Sequence, residues 1–197
     1  MSKFLTLLCG LLFLSGCTQT IPLQKEYSGP IPVVVSGEKI RFDIIMHKSD
    51  GTSYKPNVLA VSQYRTIAED ALKKAGYIID PSSDNFIVVT LNASTDKGLL
   101  WLDTHIAENA ATSMLTFGAA CHDSTANVAA KGHVLLQKAG VKLVDRDLDM
   151  NESQDDCFGG VSGRSMNERP IWLIRVYEAS VNKHIASWLQ LVLNAGR

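Results

Sequence analysis

The sequence predicts an α+β domain, an antiparallel or mixed sheet with helices packed on one face and one disulfide. Three observations carry this expectation. Residues 62–76 repeat apolar side chains at the three-four spacing of a helix. Short β-rich runs, residues 86–91 above all, lie between clusters of turn residues. Two cysteines, Cys121 and Cys157, remain for the folded body once the amino-terminal pair is set aside. With 197 residues, 46% hydrophobic and 20% charged, the chain can bury a sizeable core, which excludes a disordered polymer. A formal net charge of −1 gives no electrostatic footprint for nucleic acid.

Taken in order, residues 1–16 have the layout of a secretory signal peptide. Lys3 supplies the positive start, residues 4–14 an apolar run of eleven, and Ser15 and Gly16 the small residues that follow. Eleven residues fall short of the roughly 20 that cross a bilayer. Residues 17–32, with Pro22, Gly29, Pro30 and Pro32, suit a tether, and residues 33–197 are expected to form a single domain. Residues 31–35 and 40–46 read as a hairpin that turns through Ser36, Gly37, Glu38 and Lys39.

In the 62–76 helix, Tyr64, Ile67, Ala68, Ala71, Leu72 and Ala75 share one face. Glu69 with Lys73 and Asp70 with Lys74 form acid-before-base pairs on the other, and Gly76 is placed to end it. Tyr77, Ile78 and Ile79 begin a strand, and the turn at 81–84 leads into 86–91, so the unit is strand, helix, strand. Residues 99–102 read as a short strand. Asp103 can cap a helix over 104–118 with Ile106, Ala110, Met114 and Phe117 on one face. The small residues of 110–130 fit close helix packing and a flexible lobe equally. Residues 134–138 form a helix or strand, Gly140 a turn and 141–144 a strand. Residues 145–169 read as an acidic, glycine-rich loop. Residues 171–177 and 185–193 read as a hairpin turning near Asn182 and Lys183, because Trp172, Ile174 and Val176 alternate with Leu173, Arg175 and Tyr177.

The end of the apolar run, Leu14-Ser15-Gly16-Cys17, resembles the lipobox of bacterial lipoproteins. The resemblance implies diacylglycerol on the Cys17 sulfur, cleavage before that residue and acylation of the new amino terminus, and more than one such anchor makes membrane attachment stable. Thr18 stands where an aspartate would favour inner-membrane retention in the enterobacterial pattern, so the resemblance implies the outer membrane with the domain facing the periplasm. Cys9 then leaves with the signal and Cys17 is consumed. Cys121 and Cys157, 36 residues apart, are expected to pair in that oxidising compartment. Closing such a loop contributes about 3 to 4 kcal/mol on the chain-entropy model.

Two further segments resemble a family of small outer-membrane lipoproteins known only as a domain of unknown function. One is Ile67-Ala68, Ala71-Leu72 and Ala75-Gly76-Tyr77 followed by Asp84-Asn85-Phe86-Ile87-Val88-Val89. The other runs from Trp172 to Trp188 and includes Lys183. That resemblance implies an α+β sandwich and no known enzymatic activity.

Candidate chemistry is sparse. Asp145, Asp147, Asp149, Asn151, Ser153 and Asp156 occupy positions 1, 3, 5, 7, 9 and 12 of a calcium-binding loop. Met150 stands where such a loop wants glycine, and a solvated acidic loop is the plainer reading. Cys121-His122-Asp123-Ser124 holds nucleophile, base and acid letters side by side, but catalytic triads are defined by spatial roles. Cys121, His122, His133 and Cys157 lack the short spacings of zinc sites. The glycine-rich 158–165 does not follow the order of a phosphate-binding loop. The expectation is therefore a non-catalytic protein without cofactor, whose partners are the membrane, through its lipid, and an unidentified envelope protein of an outer-membrane, secretion or pilus assembly. The alternatives are an immunity lipoprotein neutralising a periplasmic toxin and a hydrolase built on His122 or the acidic loop.

Overall fold

The computed structural model describes residues 22–35, 37–104, 120–161 and 163–195. The signal and Cys17, and nearly all of the 104–118 helix expected from sequence, lie outside them. The elements in chain order are β1 (Lys39–His47), α1 (Leu59–Lys74), β2 (Ile78–Ile79), β3 (Phe86–Ala93), β4 (Leu100–Thr104), β5 (His122–Lys138), β6 (Val141–Asp147), β7 (Met150–Phe158), a 3-10 turn at Met166–Glu168, and α2 (Arg169–Ala195). The class is α+β, with, among the described residues, a mixed sheet of seven strands, two helices and a disulfide between Cys121 and Cys157.

β1 and β3 are parallel, paired from Arg41 with Phe86 to His47 with Asn92, and α1 is their crossover. β5, 17 residues long, is antiparallel to all its neighbours. Along one edge its residues 130–137 meet β3 and 124–128 meet β4. Along the other, residues 133–138 meet β6 and 122–130 meet β7. β6 and β7 are thus two halves of one line that forms an outer edge of the sheet.

Strand alternation gives this sheet one apolar face. Phe42, Ile44 and Met46 of β1, Ile87, Val89 and Leu91 of β3, and Ala126, Val128, Ala130, Val134 and Leu136 of β5 are buried on it. Both helices cover that face. α1 contributes Tyr64, Ile67, Ala68, Ala71 and Leu72, and ends as the sequence indicates: Gly76 takes φ +92°, and a Cβ there would stand 1.9 Å from the Val35 carbonyl oxygen.

The carboxy-terminal segment corrects the expected hairpin. Residues 171–177 and 185–193 belong to one 27-residue helix. Trp172, Val176, Ser180, His184, Trp188 and Val192 recur every fourth residue, flanked by Tyr177, Val181, Ile185, Leu189 and Leu193, a stripe that only a helical period keeps on one side. Two other expectations also change. Residues 31–35 form no hairpin with β1; Val35 N–H instead donates to Ala75 O at 2.7 Å, beyond the end of α1. The stretch beginning at 145 is strand through Asp147 and again over β7.

The proposed tether is docked over its second half. Tyr27 is buried, its N–H donates to Asp70 Oδ2 at 2.7 Å, and its carbonyl accepts from Lys74 Nζ at 2.9 Å. Gln24 N–H donates to Glu178 Oε1 at 2.6 Å and Ser28 N–H to Asn182 Oδ1 at 3.0 Å, so this strap crosses both helices.

Gly132 lies where β5 passes closest to the β6–β7 junction, and a Cβ built on it would stand 1.9 Å from the Leu148 carbonyl oxygen. Gly132→Ala is expected to lower the unfolding free energy by about 3 kcal/mol. Gly140→Ala, at φ +80° but with open space around it, should cost about 1 kcal/mol. Urea denaturation of the two variants checks the order.

Candidate functional site

Where β6 passes into β7 the ladder opens. Leu148 N–H still donates to Gly132 O at 2.9 Å, but Gly132 N–H donates to the Asp149 carboxylate at 3.1 Å. The Leu148 carbonyl faces α2 instead, where His184 Nε2 lies 2.8 Å away. A carbonyl only accepts, so Nε2 carries the proton and Nδ1 is the acceptor. Nδ1 then receives the Tyr64 hydroxyl proton at 2.6 Å, and Tyr64 Oη accepts from Trp188 Nε1 at 3.0 Å. Three buried side chains from both helices are thereby linked in one direction to a sheet carbonyl. Burial pushes the His184 imidazole below its ordinary value, against the opposing effects of Leu148 and Asp149, and raises the Tyr64 hydroxyl well above its own.

A second buried polar group lies beside it. The Glu178 carboxylate accepts from Gln24 N at 2.6 Å, Gln63 Nε2 at 2.7 Å and Arg175 Nη1 at 2.5 Å, which satisfies a nearly inaccessible charge with three donors. Sequence reasoning passed over Gln63, Glu178, Asn182 and His184 because the hairpin placed three of them in turn or strand. The available signal was their fit to the helical stripe of α2.

The calcium-loop residues lie along an edge strand. Asp145 and Asp147 sit on β6, Asn151, Ser153 and Asp156 on β7, and Asp149 between them. Beyond the His133 that Asp145 and Asp147 share, their side chains have different partners. Asp145 and Asp147 flank the two nitrogens of His133 at 3.0 and 2.8 Å, Ser153 donates to Asn127 Oδ1, and Asp156 pairs with Arg164 at 3.0 Å. Lys142, 3.0 Å from Asp145, is the main cause of that carboxyl's lowered pKa, with His133 adding to it. Extended backbone spaces these groups along a line of about 3.3 Å per residue and does not wrap them round one point.

The other candidates are also distributed. In β5 the side chains of Asp123 and Ser124 point to opposite faces, and Ser124 is buried, accepting from Arg169 Nη2 at 2.6 Å. Cys121 and Cys157 are joined to each other, and His133 lies far along β5 from His122. Phe158 packs on Trp172 with centroids 5.1 Å apart, while beyond β7 Gly159 N–H donates to Arg164 O and Arg164 N–H to Cys157 O.

No protein-family model and no curated protein matches the chain. Among solved structures, the rare lipoprotein B of Shewanella oneidensis is similar at TM-score 0.44 and 11% identity, covering 79% of this chain and 99% of that one. A DUF330 protein of Xanthomonas campestris aligns at TM-score 0.42 and 9% identity over 89% of this chain and 94% of its own. A neuraminyllactose-binding hemagglutinin homolog of Helicobacter pylori aligns at TM-score 0.35 and 9% identity over 88% and 100%.

The lowered imidazole fixes a pH dependence. As pH falls through about 6.5 the unfolded chain takes up the proton on residue 184 while the folded chain resists it, so this contribution to stability is complete above that pH and is lost toward the depressed folded value. Urea titrations at descending pH should show a loss in the wild type that is smaller in His184→Gln. Tyr64→Phe, which strands the Trp188 N–H and His184 Nδ1, should cost about 1 to 3 kcal/mol at neutral pH.

Proposed function

We propose that the chain is a lipid-anchored protein of the bacterial cell envelope, held at the outer membrane through Cys17, that works there by binding another protein. One observation carries the reading: a positive start, an apolar run too short to span a bilayer, and Leu14-Ser15-Gly16-Cys17 follow one another in the order that lipoprotein processing requires. The fold supports it. The two cysteines left after processing form a disulfide, as an oxidising compartment allows. The amino-terminal strap docks on the helical layer at Gln24 and Tyr27, seven and ten positions after Cys17. Binding is favoured over catalysis because the gathered titratable side chains, Glu178 and His184, direct their hydrogen bonds to the strap and the sheet, holding the layers together.

Cys17→Ala, expressed in the native host, is expected to move the protein from the outer-membrane fraction to the soluble periplasmic fraction. Mass spectrometry of the wild type is expected to find an acylated amino-terminal Cys17. A Cys17→Ala protein that still fractionates with the outer membrane overturns the reading.

A further inference from the structure

The β1 edge and the β6–β7 edge of the sheet are treated differently by the fold. Along β1, the outward carbonyls of Glu38, Ile40, Phe42 and Met46 accept from Ile78 N, Asp80 N, Arg65 Nη1 and Tyr54 N. Those four carbonyls are covered. Along β6 and β7 the register decides which groups face out. Leu148 bonds to Gly132, and the same register pairs Arg146 with Val134, Val144 with Leu136 and Glu152 with Val128. Antiparallel pairs alternate between bonded and non-bonded, so Asp145, Asp147, Asn151, Ser153 and Asp155 turn their backbone N–H and C=O away from β5. Cys157, next in this series, confirms the parity: its carbonyl accepts from Arg164 N at 2.8 Å on the outer side. Among the described residues nothing pairs with the outward groups from Asp145 to Asp155.

Two surfaces flank this open edge. On the sheet face away from the helices stand the side chains of the same alternate residues, with Asp147 90% exposed. Residues 141–155 carry five acidic side chains against Lys142 and Arg146. On the helix side, a groove of about 540 Å³ runs between β6 and the end of α2; its apolar lining is Leu143, Val144, Leu191 and Ala195, beside Lys142, Asp145 and Arg146 of β6, with Leu143 40% and Leu191 36% exposed.

We infer that the β6–β7 edge takes up an extended segment of a partner protein as an added strand, and that this segment alternates basic and apolar side chains. Its backbone completes the ladder at Asp145 and Asp147; its apolar side chains enter the groove, and its basic ones meet the acidic face. A second copy of this chain fits poorly, because antiparallel self-pairing sets Asp145, Asp147 and Asp155 against the same acidic run. The inference rests on the partner-binding reading above and names its surface and the chemistry of its partner.

The test uses the full chain in detergent micelles and a fluorescent peptide of about eight residues alternating lysine and valine. A peptide of identical composition with lysines and valines in separate blocks is the control for charge alone. The alternating peptide is expected to bind about tenfold more tightly than the block peptide. Asp147→Pro removes an outward N–H the fold does not use, and Leu191→Glu puts charge into the groove; each is expected to weaken the alternating peptide about tenfold at an unchanged melting temperature. Equal binding of the two peptides, or unchanged affinity in whichever variant keeps the wild-type melting temperature, overturns the inference. Anchoring is read separately, by fractionation of Cys17→Ala, so either proposal can fail alone.

Discussion

The carbonyl of Leu148 ties the two layers together. By turning out of the β5 ladder it gives His184 an acceptor, and through that imidazole it orders Tyr64 and Trp188. The turn is possible because Gly132 has no side chain at the point of closest approach and because Asp149 supplies the acceptor that Gly132 N–H requires. Apolar burial gives the layers their attraction, about 1.5 to 3 kcal/mol for each large side chain removed from water. Direction and register come from the polar chain, since buried donors and acceptors tolerate few alternative pairings. Trp188 serves both functions, stacking on Phe42 with centroids 6.0 Å apart while donating to Tyr64.

Much of the amino-terminal half was legible in the sequence. α1 is long enough for its period to be unambiguous, Gly76 marks its end, and β3 is a continuous β-branched run. The disulfide followed from counting cysteines. α2 was misread because alternation over Trp172 to Tyr177 fits a strand as well as a helix within so short a window. Pro170, at the second position of α2, is the local signal that a helix begins there. The acidic stretch was read as a loop for a related reason. Acidic residues at every second position from Asp145 describe a cation loop and the exposed face of a strand equally well. Such charge is poor β-forming material, yet it is what an uncovered edge carries to resist promiscuous pairing. The Tyr64 to His184 bond, 120 residues apart in sequence, leaves no local trace at all.

The strap gives the two helices a shared boundary. Asp70 and Lys74 of α1 and Glu178 and Asn182 of α2 all turn toward residues 24–28. Each of these polar residues would be costly at a helix–helix seam without a partner, and the strap's backbone supplies the missing donors and acceptors. The helical layer is therefore completed by chain that precedes the first strand, and the uncovered edge at β6–β7 lies on the opposite side of the sheet order from β1.

Docking of the strap also sets a leash. Cys17 precedes Gln24, the first hydrogen-bonded strap residue among those described, by seven positions, a reach of at most about 25 Å even at full extension. α2 alone is about 40 Å long. On the lipid-anchored reading proposed above, the body rides against the lipid surface, its encounters confined to a thin layer and its search for a partner made by lateral diffusion in two dimensions.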